Sequence, residues 1–141
     1  MRLFALFLIL GASFACSRPG DTAAPPPPDP AARLQAIPAA APEKYKNAAK
    51  KDWQNPYLII RAGSIGLVDL ANNEIHVLKP DDVVAALANL PASAWPYGRV
   101  VAVEQNAGVS EQERSDIRRN RALLAGTLES LKVEIHWMPS P

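Results

Sequence analysis

Apolar and polar positions fall into three regimes along the chain. From Leu3 to Leu10 every residue is apolar, and the small residues Gly11, Ala12, Ser13 and Ala15 follow. From Ser17 to about Pro42 alanine and proline dominate and no apolar periodicity survives. From Trp53 onward, short apolar runs and helical stripes alternate with turn residues.

The third regime predicts a fold. Tyr57–Ala62 is a short run rich in β-branched residues, which marks a buried strand before the Gly63-Ser64 turn. Leu67–Leu70 and Ile75–Leu78 flank Ala71-Asn72-Asn73-Glu74. Asparagine tolerates the left-handed backbone of tight turns, so this pattern predicts a hairpin. Lys79-Pro80-Asp81-Asp82 then opens a helix, with proline at the first position and carboxylates where the helix dipole favours them. Val83, Leu87 and Leu90 recur on one helical face, and Pro91 ends it.

Arg99–Gln105 reads as the next strand. Ser110 followed by Glu113 is a capping box, and the helix it starts runs to about Leu131 with Ile117, Leu124, Leu128 and Leu131 as its buried stripe. Val133–Met138 is the last strand. The order β-β-β-α-β-α-β predicts an α+β fold: a two-layer sandwich whose mixed sheet of about five strands carries two helices on one face. The final β-α-β unit is long enough for a right-handed crossover, which makes its two strands parallel.

The proline-rich regime predicts a different physical state. Pro25–Pro28 stand in a row, and proline fixes φ and donates no backbone hydrogen bond. Residues 16–42 are therefore expected as a semi-rigid spacer of about 3.1 Å per residue. A short helix is expected at Pro42–Lys51, with Pro42 at its first position, as the segment 43–52 between spacer and domain; Lys44, Lys46, Lys50 and Lys51 are either solvated or brush anionic headgroups. The globular domain is expected over 53–141.

Residues 1–15 combine one positive charge at Arg2 with the apolar run and the small residues after it, the pattern of a secretory signal peptide. The run is shorter than the ~20 apolar residues that span a bilayer. Ser13-Phe14-Ala15-Cys16 resembles the lipobox of bacterial cell-envelope lipoproteins. That resemblance implies removal of residues 1–15 and lipidation of Cys16, the only cysteine, with acyl chains such as palmitate. The chain is then a membrane-anchored lipoprotein on the periplasmic or outer side of the envelope. Several acyl chains at about 0.8 kcal/mol per buried CH2 hold a protein essentially permanently. Ordinary cleavage after Ala15 is the alternative and leaves Cys16 as a free thiol.

Composition narrows the functional classes. The 141 residues suffice for one modest domain. Charge is nearly balanced, 15 Lys+Arg against 14 Asp+Glu, so nothing predicts nucleic acid as a partner. A single cysteine rules out an internal disulfide framework. An envelope anchor, a proline-rich spacer and the elements from Leu58 to Met138 are similar in layout to the periplasmic domains of ExbD/TolR-type biopolymer-transport proteins. Lys79-Pro80-Asp81-Asp82 before Val83–Leu90 is part of that likeness. It implies an envelope interaction module, and it carries no energy-coupling role because the ion-coupling transmembrane helix of that family has no counterpart here.

No G-x-S-x-G, glycine-rich phosphate loop, HExxH or CxxC motif is present, so no catalytic residue is assigned and no cofactor is expected. Three constellations remain. Glu74-Ile75-His76 and Glu134-Ile135-His136 repeat one tripeptide on two strands, where Glu and His at i and i+2 share a face. If the strands are neighbours, Glu74, His76, Glu134 and His136 could bind a divalent metal; otherwise they are the polar halves of half-buried strands. Arg114, Arg118 and Arg121 form a basic helix edge, either solvated or facing an anionic partner. Trp95-Pro96-Tyr97-Gly98 is an aromatic loop, either a plug for the core or an exposed interaction surface. The residues thus favour a non-catalytic protein-interaction or structural module. A metal-binding protein and a small-ligand binder built on the aromatic loop are the alternatives.

Overall fold

A computed structural model describes residues 24–139, so residues 1–15, expected above as a signal peptide, and Cys16 lie outside the described residues. The five strands are β1 (Tyr57–Ile60), β2 (Ile65–Asp69), β3 (Glu74–Leu78), β4 (Val100–Gln105) and β5 (Glu134–Trp137). They form one mixed sheet in the order β3-β2-β1-β4-β5. β1, β2 and β3 are a meander of antiparallel pairs, while β4 runs parallel to β1 and β5 parallel to β4. The α+β fold with a five-stranded mixed sheet follows the expectation, and so does the parallel β4–β5 crossover.

The local signals act as read. Asn73 adopts φ 56° at the end of the β2–β3 turn, where Asp69 Oδ1 accepts from Ala71 N–H at 2.9 Å. Pro80–Asp82 is a 3-10 turn that leads into helix α3 (Val83–Ala88). Ser110 caps helix α4 (Glu111–Ser130), accepting from Glu113 N–H at 3.1 Å while Glu113 reaches back to the backbone N–H of Ser110 and Val109. α3 and α4 cover one sheet face, where Leu58, Ile60, Ile65, Val101 and Val103 meet Val83, Leu87, Ile117, Leu124 and Leu128.

The region before Trp53 departs from the expectation. Its residues 30–52 are part of the packed domain. Pro30–Gln35 forms helix α1, which packs beside α3 and inserts Leu34 at 0% exposure into the helix-side core. Arg99 fastens this segment, donating to the carbonyls of Gln35 and Lys132 at 2.8 Å each. The expected helix over 43–52 is split into α2 (Pro42–Tyr45) and a 3-10 turn at Lys50–Asp52. This stretch lies across the second sheet face, where Tyr45, Trp53, Tyr57, Tyr97, Val100, Ala102 and Met138 form a separate buried cluster. The central strands are consequently buried on both faces, which is why β1 and β4 read as continuous apolar runs rather than alternating ones. Proline-rich composition marked the segment as spacer because Leu34 and Tyr45 are isolated apolar residues with no repeating neighbours.

Candidate functional site

The sheet separates the two Glu-Ile-His segments completely. β3 and β5 are opposite edges, four interstrand steps apart, roughly 19 Å at ~4.8 Å per step. The register also turns them to opposite faces. His76 lies across from Leu67 on the helix side, whereas His136 lies across from Ala102 on the aromatic side. Glu74, His76, Glu134 and His136 therefore do not assemble a metal site. Among the described residues no group of three or more His, Cys, Asp or Glu side chains is placed to hold a metal ion.

Each half of that constellation has a local role. His76 is exposed and borders a cleft with Asp69, Leu67 and Leu90. His136 stacks on Trp53 with ring centroids 5.2 Å apart and planes 10° from parallel, and Tyr45 meets it edge-on at 5.6 Å. Glu134 accepts from the Tyr45 hydroxyl at 2.5 Å. Burial, then that bond to Glu134, pushes the Tyr45 phenol well above its ordinary pKa.

The aromatic loop is interior, not a presented surface. Trp95 packs into the helix-side core and Tyr97 into the opposite cluster. Tyr97 donates through its hydroxyl to the Asp52 carbonyl at 3.0 Å and through its N–H to Asn55 Oδ1 at 2.8 Å. Gly98 turns the chain here at φ +81°, and a Cβ on it would lie 2.2 Å from the Ala39 carbonyl oxygen. The loop is thus a hub between the two cores and the segment before β1.

The basic edge of α4 is brought beside something the sequence did not mark as a site, the outer edge of β5, which among the described residues pairs with β4 alone. Ala125, Glu129, Lys132, Val133, Ile135 and Trp137 line an open groove of about 450 Å³ between helix and strand. Glu134 N–H donates to the Arg99 carbonyl and Met138 N–H to the Val103 carbonyl, so those residues point their backbone at β4. Backbone polar groups alternate direction along a strand, so the N–H and C=O of Ile135 and Trp137 point away from the sheet. Trp137 is 40% exposed, and the Arg121 guanidinium lies 4.2 Å from the centroid of its ring.

The charges at that end do not cancel. Glu111 accepts from both Arg114 at 3.1 Å and Arg118 at 3.0 Å, and those two bonds hold its carboxyl below the ordinary value. Arg121 bonds the Gln105 amide oxygen at 3.1 Å, and no ion pair among the described residues includes it. The chemistry available there is strand pairing, apolar contact and attraction for an anion. The signal that could have found this groove was Trp137, an exposed aromatic at the end of a chain-terminal strand. Comparison with protein families, curated proteins and solved structures found no match to the chain.

Proposed function

We propose that this chain is an exported lipoprotein of the bacterial cell envelope, tethered by lipid on Cys16, whose domain is a non-catalytic protein-interaction module. The observation that carries the reading is the groove between α4 and the free edge of β5. Backbone groups that face away from β4, an exposed tryptophan and the Arg121 guanidinium over its ring coincide there. The signal-like residues 1–15 and the sole cysteine at their end support the tether. Among the described residues no helix is long and apolar enough to cross a membrane, so in this reading attachment rests on the lipid. Residues 17–29 then act as the spacer, shorter than the composition suggested because α1 belongs to the domain.

The test is affinity capture from envelope extract with the acylated protein, alongside a Cys16→Ala control. A specific protein partner is expected, with recovery that falls when the tether is removed. Turnover of a substrate by the purified protein, with no specific partner recovered, overturns the reading.

A further inference from the structure

We propose that the free edge of β5 takes an extended segment of a partner protein as a sixth strand, with an apolar residue in the groove against Ala125 and Trp137 and an acidic residue beside Arg118 and Arg121. The inference rests on the interaction-module reading and names the partner's chemistry.

Three observations fix that chemistry. The first is the backbone. Two residues of β5, Ile135 and Trp137, offer one N–H and one C=O each to the outside, the repeat an added strand needs. Edge strands are commonly protected by proline, lysine or a bulge, and Glu134–Trp137 contains no proline or lysine. Its polar side chains are also engaged elsewhere, Glu134 with Tyr45 and His136 with Trp53.

The second is the groove wall. Side chains of an added strand that point to the helix side enter the space bounded by Ala125, Ile135 and Trp137, which is apolar and shallow. A small wall residue on α4 lets a docking strand approach. Side chains on the alternate positions point to the other face and stay in solvent. The groove therefore selects alternating apolar and polar residues.

The third is charge. Glu129 and Lys132 offset each other near the start of β5. Near its end, Arg114 and Arg118 share the carboxylate of Glu111, and Arg121 holds its charge over Trp137 with no ion-pair partner among the described residues. An acidic residue at that end of the docking segment completes the pairing and fixes its direction. The other edge, β3, carries no such charge pattern; its exposed residues Ile75 and Val77 lie beyond the aromatic layer on the opposite face.

The probe is a random heptapeptide library displayed on phage and panned against the full chain, with the enriched peptides then synthesised. Enriched sequences are expected to alternate apolar and polar residues with Asp or Glu at one end. Binding is expected to slow hydrogen exchange at the Ile135 and Trp137 amides. Arg121→Glu is expected to weaken the peptide at least tenfold while the protein stays folded by circular dichroism, and Ala125→Arg to abolish binding by filling the groove. Failure to enrich any peptide, or protection that maps to Glu74–Leu78, overturns the proposal. So does protection at Ile135 and Trp137 without peptide that rises with protein concentration, because a second copy then occupies the edge. If Arg121→Glu still captures its envelope partner at the wild-type level, strand docking at β5 is refuted and the module reading stands. If no partner is captured by either form, the module reading itself fails.

Discussion

Lys50 Nζ lies 2.6 Å from Glu104 Oε2, a pair that fastens the segment before β1 to a carboxylate buried on β4. Glu104 is 5% exposed and also accepts from the Tyr57 hydroxyl. Burial pushes its carboxyl upward, but the bonds from Lys50 and Tyr57 outweigh burial and hold it below its ordinary value. A depressed carboxyl stabilises the fold above its unfolded pKa, and that contribution is lost as pH falls through the folded value. Thermal unfolding should therefore show Tm dropping as pH falls below about 4.3, and Glu104→Gln should flatten part of that slope. Lys50→Met leaves the carboxylate half-satisfied. Lys50 is itself more than half exposed, so the loss should be about 1–2 kcal/mol rather than the larger penalty of a fully buried pair.

Leu34 tests where the domain begins. A residue in a solvated spacer tolerates truncation, whereas Leu34 sits in the helix-side core at 0% exposure. Leu34→Ala should cost about 2–4 kcal/mol in urea unfolding. A change under about 0.5 kcal/mol would return residues 30–37 to the spacer.

The two histidines should behave as unrelated side chains. His136→Ala removes the stack on Trp53 and should cost about 1 kcal/mol. His76→Ala, on an exposed edge strand, should stay within about 0.5 kcal/mol. The double variant should be the sum of the two, because the sites are far apart and share no partner. Zinc that raises Tm in the wild type and loses this effect in both single variants would show the segments acting together.

Gly98→Ala meets two obstacles at once, a left-handed backbone and the Ala39 carbonyl oxygen. The backbone alone costs about 1 kcal/mol or more, and the clash must displace the strap residues Pro38 and Ala39. The variant should unfold at clearly lower urea, and limited proteolysis should cut first in residues 24–56. Wild-type stability would contradict the hub role of this loop.

How far the sequence carried the structure depended on the range of each signal. Ser110, Glu113, Asn73 and Pro80 act within a few residues of themselves, and the three elements they start or turn stand where the chain predicts them. Leu34, Tyr45 and Lys50 act across long stretches of chain, on α3, Glu134 and Glu104, and nothing near them in sequence announces those partners. The metal reading failed for a related reason. Identical tripeptides carry no information about strand order, and an antiparallel edge and a parallel edge turned them to opposite faces. The basic edge Arg114, Arg118 and Arg121 was legible as a pattern. What it faces depended on β5 being the sheet edge, a property of topology alone.

Site-specific photo-crosslinking in intact bacteria asks whether the α4–β5 groove proposed as a docking site meets a partner. A photoreactive residue replaces Glu129 at the exposed rim of the groove, and a matching one replaces exposed Val77 on β3. One discrete adduct is expected from the groove position, reduced by Arg121→Glu and by Cys16→Ala, and none of the same size from position 77. An adduct of equal strength from position 77, or none from position 129 in fully exported protein, would rule out docking at this groove.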